Sequence, residues 1–199
     1  MAGESACATV LRKWYLPFDS KAYGADIAGI LALDQSGQRL IPLVSGVCAS
    51  EEARARLKKQ KPMDLFLHGR SPKAALAGLF LYFSCAEECH ELVQNLNSSE
   101  GDFWHAILHR QEPDQANAAY WFRQTRTHPV FPELAKAAAE IALKYPAAEF
   151  RSGPWDAKYF IEFCEQARSE PGTAREAAAL EIQRAEWQLL FDYCARPRT

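Results

Sequence analysis

The chain has 199 residues, of which 48% are hydrophobic and 24% are charged, and its formal net charge is −2. These values are typical of a globular protein, and the length allows one domain with a sizeable core. The weak net charge excludes bulk attraction to nucleic acid or anionic lipid. Because no apolar run approaches the ~18 residues of a membrane span and no secretory signal pattern is present, we expect a cytoplasmic protein without membrane or nucleic-acid partners.

The first seventy residues have the weakest periodicity. The apolar segments 27–33 and 39–44 flank the polar, glycine-containing segment 34–38, a pattern that favours a small β-hairpin. Short apolar runs also occur in helices, and Pro42 restricts its segment to a sheet edge, so a helix remains the alternative. Ser50 then precedes a predicted helix with an acidic first turn and a basic last turn.

A long helix is predicted after Pro72, over residues 73–96. Most polar side chains of this segment fall on one narrow strip, and the remaining surface is apolar, which is typical of a central core helix. Glu87 and His90 are the exceptions, because they fall among apolar positions.

Cap and breaker residues divide the rest of the chain into further helices. Ser99 is predicted to cap a helix that ends at Pro113, and Asp114 to cap the next helix by accepting from the backbone near Asn117. Three more helices follow, at about 132–145, at about 155–167 and from the Thr173–Glu176 capping box to Cys194. We therefore predict a mainly α, single-domain multi-helix bundle over 1–199, with an N-terminal portion at 1–70 and a helical core at 71–195.

The six cysteines show no spacing typical of a disulfide framework. They are Cys7, Cys48, Cys85, Cys89, Cys164 and Cys194. Cys85 and Cys89 are close enough to form half of a thiolate metal site, but no second pair completes it. We interpret the cysteines as small buried thiols.

One predicted helix combines two histidines with two acids on one side. Asp102, His105, His109 and Glu112 share an arc of about 80° on a helical wheel, opposite an apolar face. Histidines at i and i+4 project toward a common point, as in zincin-type helices, and neighbouring carboxylates can add ligands or orient the imidazoles. Glu87 and His90 form a Glu-x-x-His step of the kind found in helical-bundle metal sites.

These patterns predict a divalent-metal site between consecutive helices, with Zn, Mn or Fe as the ion. The predicted ligands are His105, His109, His90 and Glu87, and Glu112 is the predicted catalytic base. The corresponding activity is metal-dependent hydrolysis of a small-molecule substrate.

A non-enzymatic interpretation remains open. An amphipathic helix needs a polar face, and Ala106 stands where zincins have their catalytic glutamate. On this interpretation the chain is a helical binding or scaffold protein whose ionisable stripe is solvated or lies in a dimer interface. The aromatic and arginine residues of 120–126 can bind single strands in principle, but we interpret them as core packing beside a basic helix end.

Three stretches resemble a family of uncharacterised bacterial proteins: FWHAILHRQEPDQANAAYWFR, HPVF and EWQLLFDYC. The resemblance covers about 71–194. It implies a bacterial-type protein and no particular activity. The distinctive residues it implies are Trp104, His105, His109, Arg110, Glu112, Asp114, Asn117 and Trp121.

Overall fold

The computed structural model describes residues 18–197, and the predicted all-helical class is confirmed for them. Within this range there are ten α-helices, three short 3-10 helices and no strand. The α-helices are α1 (Ala25–Leu31), α2 (Glu51–Lys58), α3 (Pro62–Leu65), α4 (Pro72–Tyr82), α5 (Ala86–Val93), α6 (Ser99–Gln111), α7 (Gln115–Thr125), α8 (Phe131–Lys144), α9 (Ala157–Ser169) and α10 (Ala174–Ala195). The 3-10 helices are Ser20–Tyr23, Gln35–Gly37 and Pro146–Ala148. None of the helices in the described part of the chain combines the length and apolarity needed to cross a membrane.

Helix α4 lies in the centre of the core, and α6 and α10 cross it at Gly78. The indole nitrogen of Trp187 in α10 donates to the Gly78 carbonyl at 2.7 Å. The ring of Trp104 in α6 occupies the space where a side chain at this position would be, because a Cβ on Gly78 would lie 2.7 Å from Trp104 Cζ2. The glycine therefore allows three helices to meet closely.

The predicted N-terminal hairpin is wrong, because its first segment forms helix α1. Ile27, Ile30 and Leu31 are buried, and their i, i+3, i+4 spacing places them on one helical face. Segment 38–50 has no regular structure. Side chains of α4 and α10 bind its backbone in place of a partner strand: Gln183 donates to the Ile41 carbonyl at 2.8 Å, and the Tyr82 hydroxyl accepts from the Arg39 N–H at 3.1 Å.

The single helix predicted over 73–96 is also wrong, because the chain breaks between α4 and α5. Ser84 has a left-handed φ of 57°. Donors from distant segments bind the free end of α4: the Arg39 guanidinium donates to the Tyr82 carbonyl, and the Ala49 N–H donates to the Phe83 carbonyl at 2.7 Å. These bonds satisfy carbonyl groups that a helix end leaves unpaired.

Most of the predicted helix ends agree with the structure. Asp114 caps α7 by accepting from the Asn117 N–H at 3.0 Å, and Thr173 caps α10. The cap of α6 is Ser98, one residue before the predicted Ser99. Helix α6 ends at Gln111, and the C-cap residue Glu112, directly before Pro113, leaves helical geometry, as predicted.

The cysteine prediction is correct for three residues and wrong for two. Cys89, Cys164 and Cys194 are free and buried. Cys48 and Cys85 instead form a disulfide with Cα atoms 4.6 Å apart. Cys7 lies outside the described residues. The local sequence does not indicate this pairing, because it depends on segment 38–50 returning to the break between α4 and α5.

Candidate metal centre

Three histidines meet where α5 packs against α6. His90 comes from α5, and His105 and His109 come from successive turns of α6. Each offers a ring nitrogen, and these nitrogens all lie within 4.8 Å of one another. Nitrogens bound at ~2.1 Å to a tetrahedral ion are roughly 3.4 Å apart, so small side-chain rotations suffice to bring all three onto one ion.

The break between α4 and α5 and the short α5–α6 connection bring His90 to this position. Ser98 begins α6 by accepting from the Gly101 N–H at 3.2 Å, so that α6 folds back onto α5 after a few residues. The His90 ring then lies edge-on to His105, with centroids 4.8 Å apart, and 6.0 Å from His109. The expectation that His90 faces the histidine-rich side of α6 is confirmed.

A buried ion pair fixes α6 in this orientation. The guanidinium of Arg110, next to His109, is fully buried and pairs with both carboxylate oxygens of Glu186 in α10. Arg110 also donates to Gln183 at 3.3 Å and lies 4.5 Å above the Phe160 ring. A buried charge with these partners fixes the rotation of α6 about its own axis. The histidines of α6 are thereby directed toward α5.

His105 is the most enclosed member of the cluster. It is 4% exposed, and neither of its ring nitrogens has a hydrogen-bond partner. Its ring stacks on the Trp121 indole at a centroid distance of 4.0 Å. Burial, with smaller contributions from His109 and His90, lowers the pKa of His105 to about 4, so the imidazole is neutral at pH 7. A neutral imidazole offers a lone pair to a metal ion.

Glu112 lies beside the cluster, at the end of α6. Its Oε2 is 2.9 Å from Nδ1 of His109, although the two groups are not aligned as a hydrogen bond. The Glu112 side chain is 40% exposed, whereas that of His109 is 13% exposed. A carboxylate in contact with a histidine ring is the usual arrangement for orienting a metal ligand from outside the coordination sphere.

Glu87, the predicted fourth ligand, does not join the histidines. Its exposed side chain lies 3.7 Å from Arg54. The next residue, Glu88, is buried and pairs with Arg54 and Lys58 at 2.6 Å each. The break at Ser84 changes the rotation of α5 relative to α4, so a helical wheel drawn through both segments misplaces these residues.

Asp102 also lies outside the group of three histidines. It lines an open groove of about 460 Å³ together with Tyr120, Trp121 and Arg126. Burial and the nearby Glu100 raise the pKa of Asp102. Trp121 thus contacts both His105 and this groove. The sequence assigned Trp121 only to core packing, because its contact with His105 depends on how α7 packs on α6.

The other two histidines do not belong to the cluster. His68 is exposed, between α3 and α4. His128 is buried, and its Nδ1 accepts from the Val130 N–H at 3.2 Å. It therefore has a structural partner that His105 lacks.

No protein-family model, curated protein or solved structure matches this chain. The resemblance to a family of uncharacterised bacterial proteins stays a prediction.

Proposed function

We propose that the protein binds one divalent metal ion through His90, His105 and His109, and that zinc is the preferred ion. The observation that carries this proposal is the burial of His105 with both ring nitrogens unpartnered, next to two other histidines. A buried polar nitrogen without a partner costs about 1–3 kcal/mol. A bound ion would give the His105 lone pair a partner and offset part of that cost.

The chemistry of the three donors supports zinc over the harder cations. Imidazole nitrogen is a common zinc ligand, whereas Mg²⁺ and Mn²⁺ prefer carboxylate, carbonyl and water oxygens. The lowered pKa of His105 also means that no proton has to leave this residue at neutral pH.

We further propose that the bound ion serves hydrolysis of a small polar molecule. Zinc with three histidine ligands keeps an open position and supplies Lewis-acid activation of water. The contact between Glu112 and His109 supports an orienting role for this carboxylate in addition to the predicted role as general base. The groove lined by Asp102 and Trp121 adjoins the cluster through Trp121, which stacks on His105, and is our candidate recess for a substrate.

The non-enzymatic alternative with a solvated stripe receives less support. His105 is buried by the chain's own residues, and the His109 side chain is only 13% exposed. A face that served only to contact water would leave these rings exposed.

The test is a metal titration of protein purified without a histidine tag. We expect one equivalent of zinc by elemental analysis and calorimetry, and weaker binding of Mn²⁺ and Fe²⁺. His105→Ala and His90→Ala should each weaken zinc binding at least about 100-fold, because a three-ligand site loses a ligand. His68→Ala is the matched control and should bind like the wild type, since His68 is exposed outside the cluster.

Thermal unfolding in a chelator will show whether the variants keep the fold. The proposal fails if the folded wild type retains no stoichiometric zinc and added zinc does not raise its melting temperature. It also fails if His68→Ala weakens binding as much as His105→Ala does.

A further inference from the structure

The disulfide between Cys48 and Cys85 lies at the start of the helix that carries His90. Cys48 belongs to the irregular segment before α2, and Cys85 is the N-cap residue of α5. Helix α5 has only eight residues, Ala86–Val93, and His90 is in its last turn. The covalent bond therefore ties one end of a short helix whose other end supplies a predicted metal ligand.

We propose that Cys48 and Cys85 form a reversible thiol–disulfide pair that reacts with small-molecule thiols, and that its state controls the position of His90. The effect on metal binding rests on the function proposed above. The redox reaction itself does not depend on a metal.

Access to solvent supports a reactive pair. The two cysteines line an open groove of about 380 Å³ together with the exposed Val47 and the half-buried Ser84. Cys48 is half-buried rather than enclosed. A small thiol can therefore approach the Cys48 sulfur, which exchange requires.

The three free cysteines of the described chain provide the contrast. Cys89, Cys164 and Cys194 are each completely buried, and desolvation raises the pKa of each thiol. Buried thiols of this kind are inert toward exchange. Cys85 is buried as well, at 2% exposed, so the attacked sulfur is that of the half-buried Cys48. Cys85 differs from the free cysteines because it is the N-cap residue of α5, where helix N–H groups stabilise a departing thiolate.

The surroundings accommodate the reduced form as well as the disulfide. Sγ of Cys48 lies 3.4 Å from the Ser50 carbonyl oxygen, and Sγ of Cys85 lies 3.7 Å from the Phe83 carbonyl oxygen. After reduction each thiol therefore has an acceptor for its hydrogen. Neither form leaves a new buried donor without a partner.

The reaction is an exchange between the protein disulfide and two small thiols. The thiolate of the first attacks one cysteine sulfur, forming a mixed disulfide and releasing the other cysteine as a thiolate that takes up a proton. The thiolate of the second attacks the small-molecule sulfur of the mixed disulfide and releases the first cysteine. The protein gains two electrons and two protons, and the two small thiols leave as their disulfide.

Reduction leaves α5 held only by non-covalent contacts at its start. These include the ion pairs of Glu88 with Arg54 and Lys58 and two backbone hydrogen bonds, from the Ala49 N–H to the Phe83 carbonyl and from the Cys85 N–H to the Phe80 carbonyl. Only the Arg54 and Lys58 side chains of these pairs are partly exposed, at 29% and 54%. Without the covalent bond to segment 38–50, helix α5 gains freedom and His90 is less firmly placed. We expect the reduced protein to bind zinc roughly tenfold more weakly, a coupling of ordinary size for two linked sites.

The experiment uses the full chain with Cys7→Ser, which removes the cysteine outside the described residues. The protein is equilibrated in glutathione buffers of different redox poise, and its disulfides are mapped by peptide mass spectrometry. Zinc affinity is then measured for the oxidised and reduced forms after glutathione is removed. Cys48→Ser is the locked reduced variant, and Cys164→Ala is the matched control with a buried cysteine removed.

The proposal is supported if the Cys48–Cys85 bond forms reversibly and the oxidised form binds zinc more tightly than the reduced form. In Cys48→Ser, this difference in zinc affinity between oxidising and reducing conditions should disappear. No such bond in any buffer, or equal zinc affinities of the two forms, would overturn it. If neither form binds zinc, the proposed metal function fails, and amide hydrogen exchange of residues 86–93 decides the redox proposal. Faster exchange in the reduced form supports the proposal, and equal exchange overturns it.

Discussion

At the scale of single residues, His105 and His128 show what distinguishes a candidate ligand from a structural histidine. Both are buried, and burial lowers the pKa of each to about 4. His128 uses Nδ1 to accept from the Val130 N–H, and its ring lies against Phe103. His105 has no comparable hydrogen bond on either nitrogen. Burial alone therefore does not identify the site, whereas the missing partners and two neighbouring histidines do.

The buried His128 makes stability depend on pH. Because its folded-state pKa is about 4 and the unfolded value is 6.5, the unfolded chain binds a proton between these pH values that the native protein does not. The contribution of the neutral His128 side chain to the free energy of unfolding is complete above about pH 6.5 and decreases as the pH falls toward 4. We expect His128→Asn, measured by urea unfolding in a chelator, to flatten this decrease by up to about 1.4 kcal/mol per pH unit. Parallel stability curves for the variant and the wild type would contradict this prediction.

The contact between Glu112 and His109 predicts an effect of Glu112 on metal affinity. Glu112→Gln removes the charge beside the His109 ring, and we expect zinc affinity to fall about 10- to 100-fold with little loss of stability, because Glu112 is exposed. Calorimetric titration with zinc is the measurement. Glu133→Gln is the control, since Glu133 is an exposed acid that pairs with Lys136 outside the site. An unchanged affinity in Glu112→Gln would exclude the orienting role.

At the scale of helices, the crossing at Gly78 sets how closely α6 approaches α4. The Trp104 ring fills the space beside Gly78, and His105 is the next residue of α6. The position of the first histidine of α6 therefore depends on a glycine in another helix.

Gly78→Ala should therefore destabilise the protein, although alanine is the better helix former. Its Cβ would lie 2.7 Å from the Trp104 ring, and we expect a loss of about 1–3 kcal/mol from overpacking. Gly29→Ala in α1 is the control, because the added Cβ would meet no atom within 4 Å beyond its own stretch of helix. It should be neutral or stabilising by up to about 1 kcal/mol. Urea unfolding will measure both, and equal effects would contradict the close crossing.

The helix breaks mark the limit of prediction from the sequence. Pro113 and Asp114 define the α6–α7 corner by local chemistry, so this corner was predictable. The break at Ser84 has no such local signal, because the apolar pattern continues through it. It is stabilised by Arg39 and Ala49, which are distant in sequence. Because these contacts of Arg39 and Ala49 set the orientation of α5, they also place Glu87 away from the histidines.

At the scale of the whole molecule, the helical class and the meeting of the three histidines were predictable, whereas the separation of Glu87 from these histidines was not. Apolar periodicity and caps indicate helices, and the i, i+4 spacing places His105 and His109 together. The contact of Trp121 with His105 and the Cys48–Cys85 pair both depend on how separate segments pack together. Local sequence patterns carry no information about such packing. The N-terminal segment was mispredicted as a hairpin because side chains of α4 and α10 bind the backbone that a partner strand would have bound.

X-ray absorption spectroscopy of the zinc-loaded, tag-free protein tests the central claim most directly. We expect a coordination sphere of three imidazole nitrogens and one oxygen donor at ~2.0–2.1 Å, without sulfur, because the clustered side chains are His90, His105 and His109. The three-nitrogen signal should decrease in His105→Ala and persist in His68→Ala. A sphere containing sulfur at ~2.3 Å, or one with fewer than two imidazoles, would contradict the proposed site.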